Sequence, residues 1–214
     1  MHRNNHLKEM IKPLRLSMYD FAEKEVRKQL DEIFHEEAII HLCHPFGDMK
    51  GPSEFYDKSL KLLFNSMPDF ERRDYIVVSG KTEKNLEWVG CGGLYNGTFI
   101  KPFLDIPPTG HIAHMRFHEF YRFQEDKIIE VQALWDIPEL MTQSNSWPMA
   151  PTLGREWCIP GPATMDGISD YSYDIEKSSS SVQIVIKMLE AMKKHPSQGG
   201  PELMEMDFYW HPKM

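Results

Sequence analysis

Polar and apolar residues alternate along residues 111–122, and this two-residue period constrains the fold more than any other feature of the chain. Such alternation is typical of a β-strand with one buried and one polar face. A polar turn at 124–127 and a second apolar-aromatic segment at 128–136 follow directly. A short polar turn between two such segments predicts an antiparallel hairpin. The loop at 105–110, which contains two consecutive prolines, joins this hairpin to a preceding apolar-aromatic segment.

The polar face of the first strand carries three side chains that a protein core rarely accepts, namely His114, Arg116 and His118. A polar group that is buried without a partner costs free energy. This face is therefore expected to border water, a subunit interface or a ligand pocket.

The other elements follow from the spacing of apolar residues and from glycine and proline stops. Gly90, Gly92 and Gly93 interrupt one strand and predict a bulge or a sharp bend there. Ser53 is a candidate N-cap of the second helix. The predicted elements are helices at 17–41 and 53–64, strands at 75–78, 86–99, 111–122 and 128–136, a helical turn at 138–141 and a helix beginning at 182.

Charge and cysteine content argue against several classes of protein. The chain has 214 residues and a formal net charge of -8 without a basic stripe, which argues against nucleic-acid binding. It has no apolar run of about 18 residues, so no membrane span is expected, and its first residues do not resemble a signal peptide. The 3 cysteines, Cys43, Cys91 and Cys158, lack the spacing of zinc or redox pairs. Reduced thiols in a cytoplasmic protein are the expectation.

The last third of the chain differs in composition. Residues 144–180 are rich in Pro, Gly and Ser and predict a linker or a wrapping arm. A helical pattern then leads to 208–212, which ends in His-Pro as residues 41–45 do. Either this match is a coincidence or an incomplete second copy of the domain follows the arm. The expected organisation is an extension at 1–15, a domain at 16–143, the arm at 144–180 and the start of a second copy at 181–214.

Two helices followed by a bent antiparallel sheet form an α+β order. With its loop and hairpin motifs, this order resembles the SnoaL-like polyketide cyclases of the nuclear transport factor 2-like, cystatin-like superfamily. The motifs that carry the resemblance are Gly97-Thr98-Phe99, Ile106-Pro107-Pro108-Thr109-Gly110, Phe120-Tyr121-Arg122-Phe123 and Lys127-Ile128-Ile129-Glu130. The resemblance covers about residues 16–143, and 135–141 with 153–157 also resemble bacterial two-domain members. It implies a cystatin-like cone, in which N-terminal helices pack on a curved antiparallel sheet that encloses a pocket.

The resemblance also implies a chemistry. In the cyclases an aspartate on the last strand is the general acid and base, with one histidine two residues earlier and another on the neighbouring strand. They close a ring by an intramolecular aldol step without metal or cofactor. Aligned on the Lys-Ile-Ile-Glu segment, the last-strand positions fall at Val131 and Ala133, which cannot move a proton, and the other histidine falls near His118. Asp136 lies further along, where the family often has another acid.

Pairing Phe123 with Ile128 across the turn predicts which side chains share a sheet face. By resemblance, the face with Ala133 lines the pocket. The predicted pocket face consists of His114, Arg116, His118, Phe120, Val131, Ala133 and Trp135.

The candidate catalytic residues are His118 and Asp136. A histidine changes its charge near neutral pH and suits acid–base work, and Arg116 suits a carboxylate or enolate oxygen. The candidate substrate-binding residues are His114, Arg116, Phe120, Trp135 and Trp88. Alternatively, the polar face lies at a wet rim or in a dimer interface, and Asp136 caps a strand end or turn.

Two functions remain open. One is a cofactor-free enzyme of the cyclase, isomerase or hydrolase kind that acts on a small, mostly apolar, oxygenated molecule. The other is a non-catalytic ligand-binding or interaction domain, which the loss of the family's histidine and aspartate favours. A carboxylate within proton-transfer reach of His118 would distinguish them. The expected partners are a small-molecule ligand and either a second copy in a homodimer or a tandem second domain, with no metal, organic cofactor, nucleic acid or membrane.

Overall fold

The computed structural model describes residues 3–150, 167–168, 174–194 and 199–210. The chain divides into two units, residues 1–170 and residues 171–214. Among the helices of these described ranges, none is both long and apolar enough to cross a membrane.

In the first unit, helices alternate along the chain with strands that together form one sheet. A π-helical turn, Tyr56–Leu60, joins α3 and α4 into one continuous helical segment. The elements in chain order are α1 (Arg3–Ser17), α2 (Glu23–Ile33), β1 (Phe34–Leu42), β2 (Gly47–Lys50), α3 (Gly51–Phe55), α4 (Lys61–Ser66), β3 (Glu71–Lys81), β4 (Glu87–Thr98), β5 (Ile112–Gln124), β6 (Lys127–Trp135) and α5 (Ile137–Gln143).

Six strands form one open, mixed sheet in the order β2-β1-β6-β5-β4-β3. Neighbouring strands are antiparallel except β1 and β6, which run parallel. The N-terminal helices contribute apolar side chains to the same core as one face of the sheet, which we call the inner face; the opposite one is the outer face. The predicted α+β cone is confirmed.

The N-terminal segment differs from its prediction. The helix predicted at 17–41 is wrong, because α2 ends at Ile33 and residues 34–42 form β1. Side chains of β1 alternate between buried and exposed toward its end, and this strand gains its partner from β6, far along the chain. Helical spacing alone could not reveal that distant pairing. Residues 1–15 were expected to be an extension, but residues 3–17 form α1, whose Leu7 and Ile11 are buried in the core.

The later elements lie close to their predicted positions. The second helical segment, predicted at 53–64, ends two residues later at Ser66, and Lys50 rather than Ser53 holds its N-cap position. In the second unit, α6 (Ile175–Met192) begins earlier than predicted, because the Asp174 carboxylate caps it by accepting from the N–H groups of Glu176 and Lys177.

The possible second copy can be compared at few positions. A 3₁₀ turn, Pro201–Met204, and a short helix α7, Met206–Tyr209, follow α6. Tyr209 is therefore helical, whereas Leu42 at the matching position ends a strand. The His-Pro pair at 211–212 and the arm at 151–166 and 169–173 lie outside the described residues. The second copy stays a prediction.

A register shift in the β5–β6 hairpin changes which side chains share a face. Phe123 pairs with Ile128 as predicted, but a bulge follows, so that Arg122 faces Glu130 instead of Ile129. The next pairs are therefore displaced by one residue, and Phe117 faces Trp135. Side chains of β5 on the inner face are those of Ala113, Met115, Phe117, Glu119, Tyr121 and Phe123, and on the outer face those of His114, Arg116, His118, Phe120 and Arg122.

A second irregularity lies where β3 and β4 pair. The register of β3 shifts between Asp74 and Ile76, and Gly93 of β4 pairs with Asp74 at this position. A Cβ atom on Gly93 would lie 2.6 Å from the ring of Phe117 and would overlap the carbonyl oxygen of Arg73. The predicted bend at the glycines thus corresponds to a close approach between two backbones.

We expect Gly93→Ala to lower the free energy of unfolding by roughly 1–3 kcal/mol or more, because overpacking against main-chain atoms is poorly relieved. Gly80→Ala on the adjacent strand is the matched control, since a Cβ there meets nothing within 4 Å. Urea denaturation of both variants measures the difference. Equal stabilities would contradict the close approach at Gly93.

Candidate functional site

The inner face of the sheet is filled by aromatic side chains. Trp135, the last residue of β6, is only 1% exposed and packs edge-on against the rings of Tyr95 and Phe46, at centroid distances of 5.4 and 5.5 Å. Tyr95 also stacks on Phe117 at 4.4 Å. The indole of Trp135 therefore occupies the space beneath the sheet, where the resemblance predicts a pocket wall.

Glu119 is the acidic residue of β5 on this inner face, and its carboxylate accepts four hydrogen bonds. Its Oε1 atom accepts from the Tyr95 hydroxyl at 2.5 Å and from the Trp135 indole N–H at 2.8 Å. Its Oε2 atom accepts from the Tyr121 hydroxyl at 2.5 Å and from the Arg72 guanidinium at 2.6 Å. The side chains of Glu119 and Arg72 are both 0% exposed. We call these five residues the Glu119 network.

Arg72 connects this network to a second carboxylate. Its Nε and its other terminal nitrogen donate to Asp74 Oδ1 at 3.1 and 3.0 Å, and Arg15 Nε donates to Asp74 Oδ2 at 3.0 Å. Burial lowers the pKa of Arg72, but Asp74 and Glu119 outweigh it, and the pKa lies well above its usual range. The buried cation is thus fixed between two anions.

The tyrosines of the Glu119 network keep their protons at neutral pH. Burial, reinforced by the charge of Glu119, raises the pKa of Tyr95 and of Tyr121 well above the ordinary value. Both hydroxyls therefore act as donors to the carboxylate. With its oxygens occupied in this way, Glu119 cannot accept a substrate proton without first losing a hydrogen bond.

The inner positions aligned with the cyclase acid–base pair carry no titratable group. Val131 pairs with Tyr121 and is fully buried, and Ala133 pairs with Glu119. The inner-face carboxylate of β5 nearest these positions is that of Glu119, which pairs with Ala133 and lies one residue beyond the predicted His118.

On the outer face, a chain of polar contacts ties β5 to α5. The Glu139 carboxylate accepts from the Arg116 main-chain N–H at 2.9 Å and lies 3.3 Å from His114 Nε2 and 3.4 Å from the Arg116 guanidinium. Burial raises the pKa of Glu139, but the hydrogen bonds from His114 and Arg116 outweigh it, so the pKa is lowered. Asp136 caps α5 by accepting from the Glu139 N–H at 3.2 Å and pairs with Arg116 at 3.3 Å.

The sequence left open that Asp136 caps a strand end or a turn, and in the structure it caps α5, which directly follows β6. This capping role accounts for the carboxylate without a catalytic task. Likewise, His114 and much of the Arg116 charge are explained by Glu139, which anchors α5 to the sheet.

His118 differs from these residues, because among the described residues its side chain makes no hydrogen bond or ion pair. It is exposed on the outer face and lies over Gly92. A cleft of about 360 Å³ is bordered by His118, Arg116, Leu134, Asp136 and Pro138; we call it the outer cleft.

Aromatic residues extend the outer face beyond this cleft. A shallow hollow of about 700 Å³ runs from His118 past Phe120 and Leu134 to Cys43, and a smaller one of about 260 Å³ joins Phe120 to Trp88. Phe120 is 47% exposed and lies over Gly90. The predicted site residues other than Trp135 therefore lie along one outer surface.

The prediction that His118 and Trp135 share a sheet face is wrong, because the hairpin bulge displaces β5 by one residue. Their pairing partners show this directly, since His118 faces Leu134 while Trp135 faces Phe117. Both residues nevertheless border the outer cleft. Trp135 reaches it at the end of β6, where almost none of its surface is exposed. The outer cleft thus lacks the predicted aromatic wall, and Leu134 forms the apolar side of the cleft.

Sequence reasoning missed the Glu119 network. The alternation of β5 would have placed Glu119 inside once its neighbours Phe117 and Tyr121 were recognised as core residues. Its partner Arg72 gave no signal, because it comes from a strand two positions away in the sheet. In the described part of the chain, no group of three or more His, Cys, Asp or Glu side chains could hold a metal ion.

Comparisons with known proteins agree with this architecture. A family model described as SnoaL-like polyketide cyclase matches residues 13–144. The crystal structure of wild-type IdmH from Streptomyces antibioticus, named as a candidate polyketide cyclase, has a TM-score of 0.54 at 18% identity and covers 65% of this chain and 98% of that one. For a SnoaL-like protein from Jannaschia sp. CCS1 the values are 0.55, 18%, 70% and 97%.

AclR from Streptomyces galilaeus, named as a candidate hydroxylase, has a TM-score of 0.56 at 14% identity and covers 69% of this chain and 90% of that one. At these identities the likeness concerns the fold alone. No curated protein matches the chain.

We expect Glu119→Gln to lower the free energy of unfolding by about 3–5 kcal/mol, because it leaves the buried Arg72 with one anion fewer. Glu130→Gln is the matched control, since it breaks the partly exposed pair of Glu130 with Arg122 and should cost less than about 1 kcal/mol. Chemical denaturation at neutral pH measures both. A small effect at Glu119 would contradict the structural role of the network.

Proposed function

Because the chain belongs to the SnoaL-like polyketide cyclase family, we propose that it binds a small, mostly apolar, oxygenated molecule without the proton transfer of the family's cyclases. One observation carries the second half of this proposal. The inner-face carboxylate of Glu119 is fully buried and holds four donors, next to Val131 and Ala133 at the aligned acid–base positions.

The outer cleft is the site we propose for the ligand. Arg116 uses one terminal nitrogen for Glu139 and Asp136, while a guanidinium has five N–H donors. His118 has no partner among the described residues. Two side chains with uncommitted donors on one side of a small cleft suit a carbonyl, enolate or carboxylate oxygen.

Apolar side chains beside the cleft suit the rest of such a ligand. Leu134 is 59% exposed and borders both the outer cleft and the larger hollow, and Phe120 lies further along the same surface. Large exposed apolar side chains in one patch are uncommon on a monomer and point to a contact with another molecule.

Catalysis at His118 is the second candidate. It is favoured by the free imidazole of His118 and by the presence of Asp136 in the same cleft. However, Asp136 is committed to the end of α5 and to Arg116. Because His118 has no available carboxylate partner, we favour binding over catalysis at this site.

We also propose that two copies of the chain pair through the outer face. The support is the set of exposed apolar side chains that crosses β6, β5 and β3, namely Leu134, Phe120, Val78 and Ile76. The outer cleft lies at the α5 end of this face, where Asp136 and Pro138 border it, and it shares Leu134 with the pairing surface.

For the ligand site, calorimetry with acetophenone as a neutral carbonyl probe should show binding that Arg116→Gln or His118→Ala weakens about tenfold, the effect of losing a charge-assisted hydrogen bond. Arg122→Gln on the same face is the control and should bind as the parent does. Binding that neither substitution alters would place the ligand elsewhere. Deuterium exchange into the methyl group of the probe, lost in His118→Ala, would instead support catalysis and contradict the proposal.

For the pairing, light scattering over a range of concentrations should give the mass of a dimer. The double variant Phe120→Lys with Leu134→Lys should be monomeric, because two buried charges would oppose each other across the interface. Leu62→Lys, an exposed position on α4, should remain dimeric. A monomeric parent at all concentrations would refute the pairing.

A further inference from the structure

A second cleft lies at the β3 edge of the sheet, away from the outer cleft. It has a volume of about 490 Å³ and lies between the end of α1 and the start of β3. Its polar lining is formed by Arg15, Arg72, Arg73 and Asp74, and its apolar and aromatic lining by Leu16, Tyr19, Tyr75, Leu94 and Ile168. It shares no residue with the outer cleft. We call it the edge cleft.

Positive charge predominates in the lining of the edge cleft. Three arginines face one aspartate there, although the chain as a whole carries a formal net charge of -8. Two more carboxylates are near but do not line the cleft, since Glu119 lies behind Arg72 and Glu71 pairs with Arg73 at 2.7 Å. The cluster is therefore close to neutral as a whole, with its cationic groups on the cleft side.

The arginines differ in the number of donors that they still have available. Arg72 is committed to Glu119 and Asp74 and serves as a fixed floor. Arg15 makes a single side-chain hydrogen bond in the described residues, from Nε to Asp74, so its terminal nitrogens keep their N–H groups for another acceptor. Arg73 is exposed and holds Glu71 through Nε and one terminal nitrogen.

The apolar lining adds a preference for a flat, hydrophobic body. The ring of Tyr19 is exposed and lies 5.3 Å from the Arg73 guanidinium. Leu94 and Ile168 border the same cleft and are half-buried. A concave site with an apolar lining and a few convergent polar groups is the usual form of a small-molecule site.

We propose that the edge cleft binds a small aromatic carboxylate. Its carboxylate accepts from the terminal nitrogens of Arg15 and from Arg73, and its ring lies against Tyr19. Asp74 sets the orientation of Arg15, so the donors are held in place before the ligand arrives. This site is independent of the proposed outer cleft and of any reaction there.

The test uses 2-naphthoate as the probe and 2-naphthamide, a neutral molecule of the same shape, as its match. Calorimetry should show binding of the carboxylate and at least tenfold weaker binding of the amide. Arg73→Gln and Tyr19→Ala should each weaken naphthoate binding several-fold, and raising the salt concentration should weaken it further. Both residues are exposed, so thermal unfolding should show that these variants remain folded.

Arg116→Gln, which alters the outer cleft, separates the two sites and should leave naphthoate binding unchanged. Three results would overturn the proposal: no naphthoate binding, equal binding of the amide, or binding that Arg73→Gln and Tyr19→Ala leave unaltered. Loss of naphthoate binding in Arg116→Gln would assign the anion to the outer cleft and would equally overturn it.

Discussion

The buried pair of Arg72 and Glu119 is the interaction on which the rest of the structure depends. Two charges without solvent carry a large desolvation cost, which the fold offsets only by supplying every hydrogen bond that the carboxylate and the guanidinium require. Tyr95, Tyr121 and Trp135 are therefore held in fixed orientations around Glu119. The aromatic packing of the interior follows from this requirement.

The same network determines where a ligand could bind. The interior is occupied by Trp135 and the donors of Glu119, whereas the outer cleft, the edge cleft and the two hollows beside Phe120 lie outside this packed region. Family membership establishes the fold, but fold does not establish an activity. In this chain the residues at the aligned acid–base positions, Val131 and Ala133, and the committed Glu119 are what support the proposal of recognition without catalysis.

Much of the fold could be predicted from local patterns. The alternation of β5, the polar turn before β6 and the glycines of β4 each led to the correct element, because each depends on near neighbours in the chain. Strand β1 was missed because its alternation is weak and its partner, β6, is distant in sequence. The apolar spacing that is typical of a helix continues from α2 into β1, and no glycine or proline separates the two elements.

The candidate site was harder to predict, because a single bulged residue decides it. Side chains alternate with a period of two residues along each strand, as predicted, but one extra residue beside Arg122 shifts the pairing of the two strands. His118 and Arg116 therefore lie on the outer face instead of the predicted inner face. The alternation of β5 alone favours an inner Phe117 and Tyr121, but the pairing of Phe123 with Ile128 across the turn does not reveal the bulge. The position of Asp136 before Ile137-Pro138 indicated a cap at the strand end or a turn, and the structure has it as the N-cap of the helix that follows β6.

The parallel contact between β1 and β6 also has a consequence for how the chain folds. Because β6 lies between β1 and β5, the strands made earlier form two separate pieces, β1 with β2 and β3 with β4 and β5, until residue 135 has been synthesised. Each piece has an unpaired edge during that time, and such edges favour association with other chains. The last strand joins the halves through contacts of long sequence separation, which slow folding. A growing chain is thus at its most vulnerable just before its sheet is complete.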